Sequence, residues 1–231
     1  METYPVFIGY DKREDEACRV TRNSLLKLST VPLHVQWLDQ KALRDGGLYT
    51  REEIEINGKT CDAFDRKPFS TEFTFTRFAV PALCQYQGWA LFVDGDFMFR
   101  ADVGELFGLI DDKYAVMVVQ HDYQPTETVK MDGQPQKLYY RKNWSSLILW
   151  NCAHPSNRCV SLDWVNRMAG LYLHAFNWLE PDEIGALPET WNSLVGHSNT
   201  VNPKAVHFTD GAPCLEGYEN VAYSDEFRAY A

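Results

Sequence analysis

The chain has 231 residues, of which 45% are hydrophobic, 14% aromatic and 23% charged. That balance excludes wholesale disorder and suits one domain with a sizeable core. The 22 Lys and Arg against 32 Asp and Glu give a formal net charge of −10, which argues against a protein that grips nucleic acid or anionic lipid through a basic surface.

No apolar run approaches the ~20 residues of a membrane span. The opening Met-Glu-Thr-Tyr-Pro lacks the basic and apolar regions of a signal peptide. The six cysteines are scattered without a CxxC pair or a metal-finger spacing. These features lead us to expect reduced thiols and a cytoplasmic protein with no membrane span and no nucleic-acid partner.

In chain order, Pro5–Tyr10 is an apolar run with the pattern of a strand buried on both faces. Asp11 is a good N-cap, and Ala17, Val20, Ser24, Leu25 and Leu28 then recur at helical spacing. His34–Leu38 reads as the next strand, so the chain opens as a βαβ unit. Residues 39–68 form a polar stretch long enough to be a functional excursion or a small subdomain. Phe75 to Tyr86 carries one helical stripe, with Pro81 expected to kink it and Gly88 to stop it. Trp89–Asp94 is the most strand-like segment, followed by strands at Tyr114–Gln120 and Ser146–Trp150 and a turn at Met131–Gln134. Val160, Trp164, Val165 and Met168 mark a helix, and Ala205–Phe208 a last strand. No repeat or linker interrupts residues 1–231, so we expect a single α/β domain with a mostly parallel central sheet flanked by helices.

The chemistry concentrates at Asp94-Gly95-Asp96, where an apolar strand runs directly into two carboxylates one residue apart. Open α/β sheets bind ligands at such strand ends. Two carboxylates about 4 Å apart repel by about 4 kcal/mol at an effective dielectric of 20, and a divalent cation on oxygen ligands relieves that repulsion. The alternative is an ordinary exposed Asp-Gly turn.

Five segments occur together in order. Thr76-Arg77-Phe78-Ala79-Val80-Pro81 precedes Gly88–Asp96, Asn143–Asn151 follows, then Leu187-Pro188-Glu189-Thr190-Trp191-Asn192, then His207–Pro213. Together they resemble the GT-A-fold nucleotide-sugar glycosyltransferases, most closely those related to family eight, the glycogenin and galactosyltransferase-like group. The chain departs from that group in having Ser145-Ser146 where Asn-Ser-Gly is usual, Asp182-Glu183 for Asp-Gln, and Ala212-Pro213 where a late Lys is usual.

The resemblance implies a GT-A-type, Rossmann-like domain and a hexosyltransferase-like activity. A sugar would pass from a nucleoside-diphosphate sugar, expected to be UDP-linked, to a glycan, glycolipid or other hydroxyl acceptor, with the anomeric configuration retained. It implies Mn²⁺ or Mg²⁺ on Asp94, Asp96 and His207, and an imidazole beside oxygen ligands fits Mn²⁺ better than Ca²⁺. Donor contacts are expected from Gly9, Tyr10, Asp11, Arg77, Asp94, Gly95, Asp96, Lys142, Ser145 and Ser146, and catalytic roles from Arg77 and Asp182. Plainer roles stand beside these: an N-cap for Asp11, a helix-surface cation for Arg77, a helix start for Asp182, and a strand start for Ser145 and Ser146. Some of the seven Trp are expected to line an acceptor groove. A sugar nucleotidyltransferase and a non-catalytic nucleotide-sugar- or carbohydrate-binding module are the alternatives; the former normally carries a Gly-rich loop after its first strand, absent from Gly9–Arg13.

Overall fold

The computed structural model describes residues 3–122 and 141–231; the expected Met131–Gln134 turn lies outside them. The chain opens β1 (Tyr4–Gly9), α1 (Asp15–Leu28) and β2 (Leu33–Leu38), the anticipated βαβ unit. The polar excursion folds as α2 (Gln40–Asp45) and a hairpin of β3 (Glu53–Ile56) and β4 (Lys59–Asp62). After α3 (Val80–Leu83) come β5 (Trp89–Val93), β6 (Phe97–Phe99), α4 (Gly104–Phe107), β7 (Val116–Val119) and β8 (Leu147–Asn151). α5 (Leu162–Arg167), α6 (Gly170–His174), β9 (Ile184–Leu187), β10 (Ser193–Leu194), β11 (Ala205–His207) and α7 (Ser224–Arg228) complete it.

The central six-stranded sheet has the order β2-β1-β5-β8-β7-β9. β8 runs antiparallel to both neighbours, and the remaining strands are parallel. Side chains alternate across the sheet. Phe7, Phe92, Ile148 and Trp150 feed one core with Phe78 and Phe176, while Val6, Leu91, Val93 and Leu149 feed the other with Leu25 of α1. Each such side chain contributes roughly 1.5–3 kcal/mol on full burial. That double burial is why the strands read as unbroken apolar runs.

The stripe over Phe75–Tyr86 forms only in part, as a 3₁₀ turn at Thr76–Ala79 running into the short α3. Pro81 falls in the first turn of α3, where a missing N–H costs nothing, so it starts a helix instead of kinking one. The helix ends at Cys84, before Gly88, and Gln85 and Tyr86 take left-handed φ values of 53° and 56°. The hairpin is tied down by the buried pair of Arg51 and Asp62 (2.7 Å), and Arg51 also donates to the Val165 carbonyl at 3.1 Å. The chain after the hairpin, Asp65 to Phe75, forms one edge of a cleft.

Candidate active site

Asp94 leaves β5 at its C-terminal end, and its N–H donates to the Ser146 carbonyl at 2.8 Å. The β5–β8 ladder thus continues one step and sets Ser145 and Ser146 beside the carboxylate. On the other side β6 pairs with β11, His207 lies across from Phe97, and Phe208 N–H donates to the Asp96 carbonyl at 3.0 Å. The His207 ring stacks on Phe97 at 4.5 Å. Gly95 has a steric cause: a Cβ there would stand 2.5 Å from the Gly9 carbonyl oxygen and 2.5 Å from Cys18 Sγ. Thr21 of α1 pins the turn, with Oγ1 hydrogen-bonded to the Gly95 carbonyl at 2.8 Å and accepting from Phe97 N–H at 3.0 Å.

Asp94, Asp96 and His207 each present one ligand atom, all within 4.8 Å of one another. Arg77 Nη1 stands 2.7 Å from Asp94 Oδ1, and His207 Nε2 stands 3.3 Å from Asp96 Oδ1. Both carboxylate oxygens are buried and accept no well-aligned hydrogen bond. On the far side of its ring, His207 Nδ1 meets Asn192 Oδ1 at 3.1 Å, and Asn192 Nδ2 donates to Ser146 Oγ at 2.8 Å. This chain aims His207 Nε2 at the carboxylates, the orientation that a metal-ligating imidazole needs. Two oxygen donors and one imidazole with a fixed tautomer fit a divalent cation such as Mn²⁺.

The charges are tuned by burial and by each other. Burial pushes the Asp94 carboxyl up to about 7, with Arg77 pulling against it. Burial also acts on Asp96, but the charge of the adjacent His207 outweighs it and holds that carboxyl below the ordinary range. His207 is the mirror case: burial opposes its charge, Asp96 wins, and its pKa is raised.

The group opens into a cleft of about 730 Å³. Arg77, Asp94, Asp96, Lys142, Ser145, Ser146 and His207 all line it, so the structure brings together most of the site residues expected from sequence. Gly9 closes the end of β1 beneath the Phe73 ring, where a Cβ would come within 2.6 Å. Tyr10 sits outside the cleft wall, its hydroxyl 3.0 Å from Asp15 Oδ1 and its ring 5.6 Å from Trp37.

Two expectations need correction. Asp11 is fully buried and accepts from Arg13 N–H, the Arg13 guanidinium and Glu72 N–H, so it caps the turn Lys12–Glu14 and does not face the cleft. Asp182 is exposed, in the turn Pro181–Glu183 that precedes β9. β9 is parallel to β7 and β5 in direction, so Asp182 lies at the opposite end of the sheet from Asp94. The described lining of this cleft has Phe73, Phe75 and Tyr218 but no Trp, and Trp150 and Trp191 are fully buried.

Sequence reasoning missed several residues. Glu14 lines the cleft, and burial followed by the charge of Asp96 pushes its carboxyl up to about 8. Asn192 holds His207, His174 meets Ser145, and His197 meets Asp210 at 2.6 Å. Only Asn192 had a signal, as the last residue of the Leu187–Asn192 segment.

No protein-family model matches the chain. Among solved structures, it is similar to the bifunctional glycosyltransferase WbbM (TM-score 0.65, 15% identity, 99% of this chain and 49% of that one). It is similar to the glycosyltransferase GlyE of Streptococcus pneumoniae TIGR4 (TM-score 0.63, 15% identity, 100% of this chain and 60% of that one). It also resembles mouse xyloside xylosyltransferase 1 (TM-score 0.57, 15% identity, 92% of this chain and all of that one). The chain thus spans about half of WbbM and 60% of GlyE, and these likenesses give it a glycosyltransferase fold. Protein CDI of Arabidopsis thaliana is 47% identical over 228 residues, covering 96% of this chain and 83% of that protein, and on that identity the chain belongs to the Protein CDI family.

Proposed function

We propose that this chain is a divalent-cation-dependent glycosyltransferase related to family eight. It takes a nucleoside-diphosphate sugar, with UDP as the nucleotide, and passes the sugar to a glycan, glycolipid or other hydroxyl acceptor with retention of configuration. The observation that carries this reading is the convergence of Asp94, Asp96 and His207 at the C-terminal end of β5, inside a cleft on a glycosyltransferase fold.

Asp94, Asp96 and His207 would hold the cation, which when bound supplies positive charge for a diphosphate leaving group. This chain's own residues do the rest. Arg77 holds Asp94 and the Ser145 carbonyl in place, and Lys142 from the same wall adds a cation for the phosphates. Asp182 lies outside the cleft, so we favour attack on the face that the leaving group departs from. The C1–O bond to phosphate breaks, the C1–O bond to the acceptor forms, and the acceptor proton passes to the departing phosphate oxygen.

The reading is tested by incubating the protein with UDP-glucose, UDP-galactose and UDP-N-acetylglucosamine in Mn²⁺ and following UDP release by chromatography. Release from at least one donor, abolished in Asp96→Ala, is the expected result. Binding without release from any donor would favour a carbohydrate-binding module.

A further inference from the structure

Resting on that reading, we propose that His174 is a positioning residue that sets Ser145 to read a hydroxyl of the donor sugar. His174 Nδ1 lies 2.7 Å from Ser145 Oγ, and both residues line the cleft. The Ser145 carbonyl accepts from Arg77 Nη1 at 2.8 Å, the same nitrogen that faces Asp94. One connected path therefore runs Asp94, Arg77, Ser145, His174 along a single wall. In a nucleotide sugar the ring hangs from the second phosphate by one oxygen, so the wall next to a diphosphate site is where the sugar must lie.

The His174 ring packs edge to face with Phe78 at 5.1 Å and 85°, and Phe78 is fully buried. A hydroxyl offers one donor and two acceptor positions. Ser145 spends one on His174, which fixes the direction of the others. α6 also sets Gly170 and Leu171 on the cleft wall, Leu171 being 48% exposed, so an apolar surface stands beside the polar pair. A sugar ring presents the same combination of hydroxyls and C–H edges.

A site built to hydrogen-bond a hydroxyl rejects the analogue without it far more strongly than an apolar pocket rejects one methylene. The test is calorimetric binding, in Mn²⁺, of UDP, the best-bound UDP-hexose and its 2-, 3-, 4- and 6-deoxy forms. We expect the wild type to discriminate against one deoxy form by at least ~10-fold, the scale of one hydrogen bond. Ser145→Ala and His174→Phe should each erase that discrimination, and His174→Phe should leave UDP affinity within about twofold. The double variant should cost no more than either single one, since the pair acts as a unit. His174→Asn, which keeps a polar atom near Nδ1, should restore part of it. Full discrimination in His174→Phe overturns the inference and leaves the glycosyltransferase reading intact. An equal loss of UDP affinity in that variant also overturns it, marking His174 as general support for the cleft. Failure of UDP itself to bind in Mn²⁺ removes the underlying reading and the inference with it.

Discussion

Arg77 Nη1 faces Asp94 Oδ1 at 2.7 Å and donates to the Ser145 carbonyl at 2.8 Å. One buried guanidinium thereby joins β5, the turn before β8 and the 3₁₀ turn that carries it. Breaking a buried ion pair from one side typically costs about 3–5 kcal/mol. Arg77→Met should therefore lower the melting temperature clearly, and Arg77→Lys, which keeps the charge but loses the planar fork, should fall between. Mn²⁺ should recover part of the loss in Arg77→Met by neutralising Asp94. Thermal unfolding with and without Mn²⁺ checks this; an unchanged melting temperature in Arg77→Met contradicts it.

The carboxylate charges give a pH dependence with a definite sign. Asp94 in the folded chain is raised from 3.8 to about 7, mainly by burial. A raised carboxyl stabilises the fold below its unfolded pKa, and that contribution is lost as pH rises through about 7. A cation on Asp94 needs the carboxylate, and on His207, whose pKa is also raised, the neutral ring. Mn²⁺ affinity should thus weaken as pH falls, by about tenfold per unit for each proton displaced. Thermal shift by Mn²⁺ should be larger near pH 8 than near pH 6. A shift that is larger near pH 6 contradicts the assignment.

Gly95→Ala tests the turn. A Cβ 2.5 Å from the Gly9 carbonyl cannot be absorbed by a side-chain rotation. We expect a loss of about 1–3 kcal/mol or more from forced backbone movement, together with weaker Mn²⁺ binding because both carboxylates move. Full stability in urea unfolding would mean that the turn and β1 are not in this contact.

Asp182→Asn should change donor turnover by less than about twofold, the ordinary outcome for an exposed residue away from the site. A tenfold slower rate would put Asp182 back in the reaction.

The inner strands β1, β5, β8 and β7 were legible because they are buried on both faces and so appear as apolar runs, and the position of Asp94 and Asp96 followed from the end of one such run; the edge strand β9 (Ile184–Leu187), short and containing Gly185, was not read as a strand. What the sequence hid was decided by tertiary contacts. Asp11 looks the same whether it binds a ligand or Arg13, and only the fold brings Glu72 N–H to it. Asp182 adjoins a Leu-Pro-x-x-Trp-Asn segment in sequence, but strand direction sends it to the far end of the sheet. His174 and Glu14 sit in segments without a motif, and their place on the cleft comes from α6 and from the turn before α1.

The most direct test of the account is calorimetric titration of UDP into the protein with Mn²⁺, with EDTA, and with Mn²⁺ in Asp96→Ala. UDP should bind at least ~10-fold tighter with Mn²⁺ than in EDTA, the minimum for replacing carboxylate repulsion by a cation's attraction. Asp96→Ala should lose this gain while keeping its cooperative unfolding. Equal UDP affinity in Mn²⁺ and EDTA, or an undiminished Mn²⁺ gain in Asp96→Ala, would contradict it.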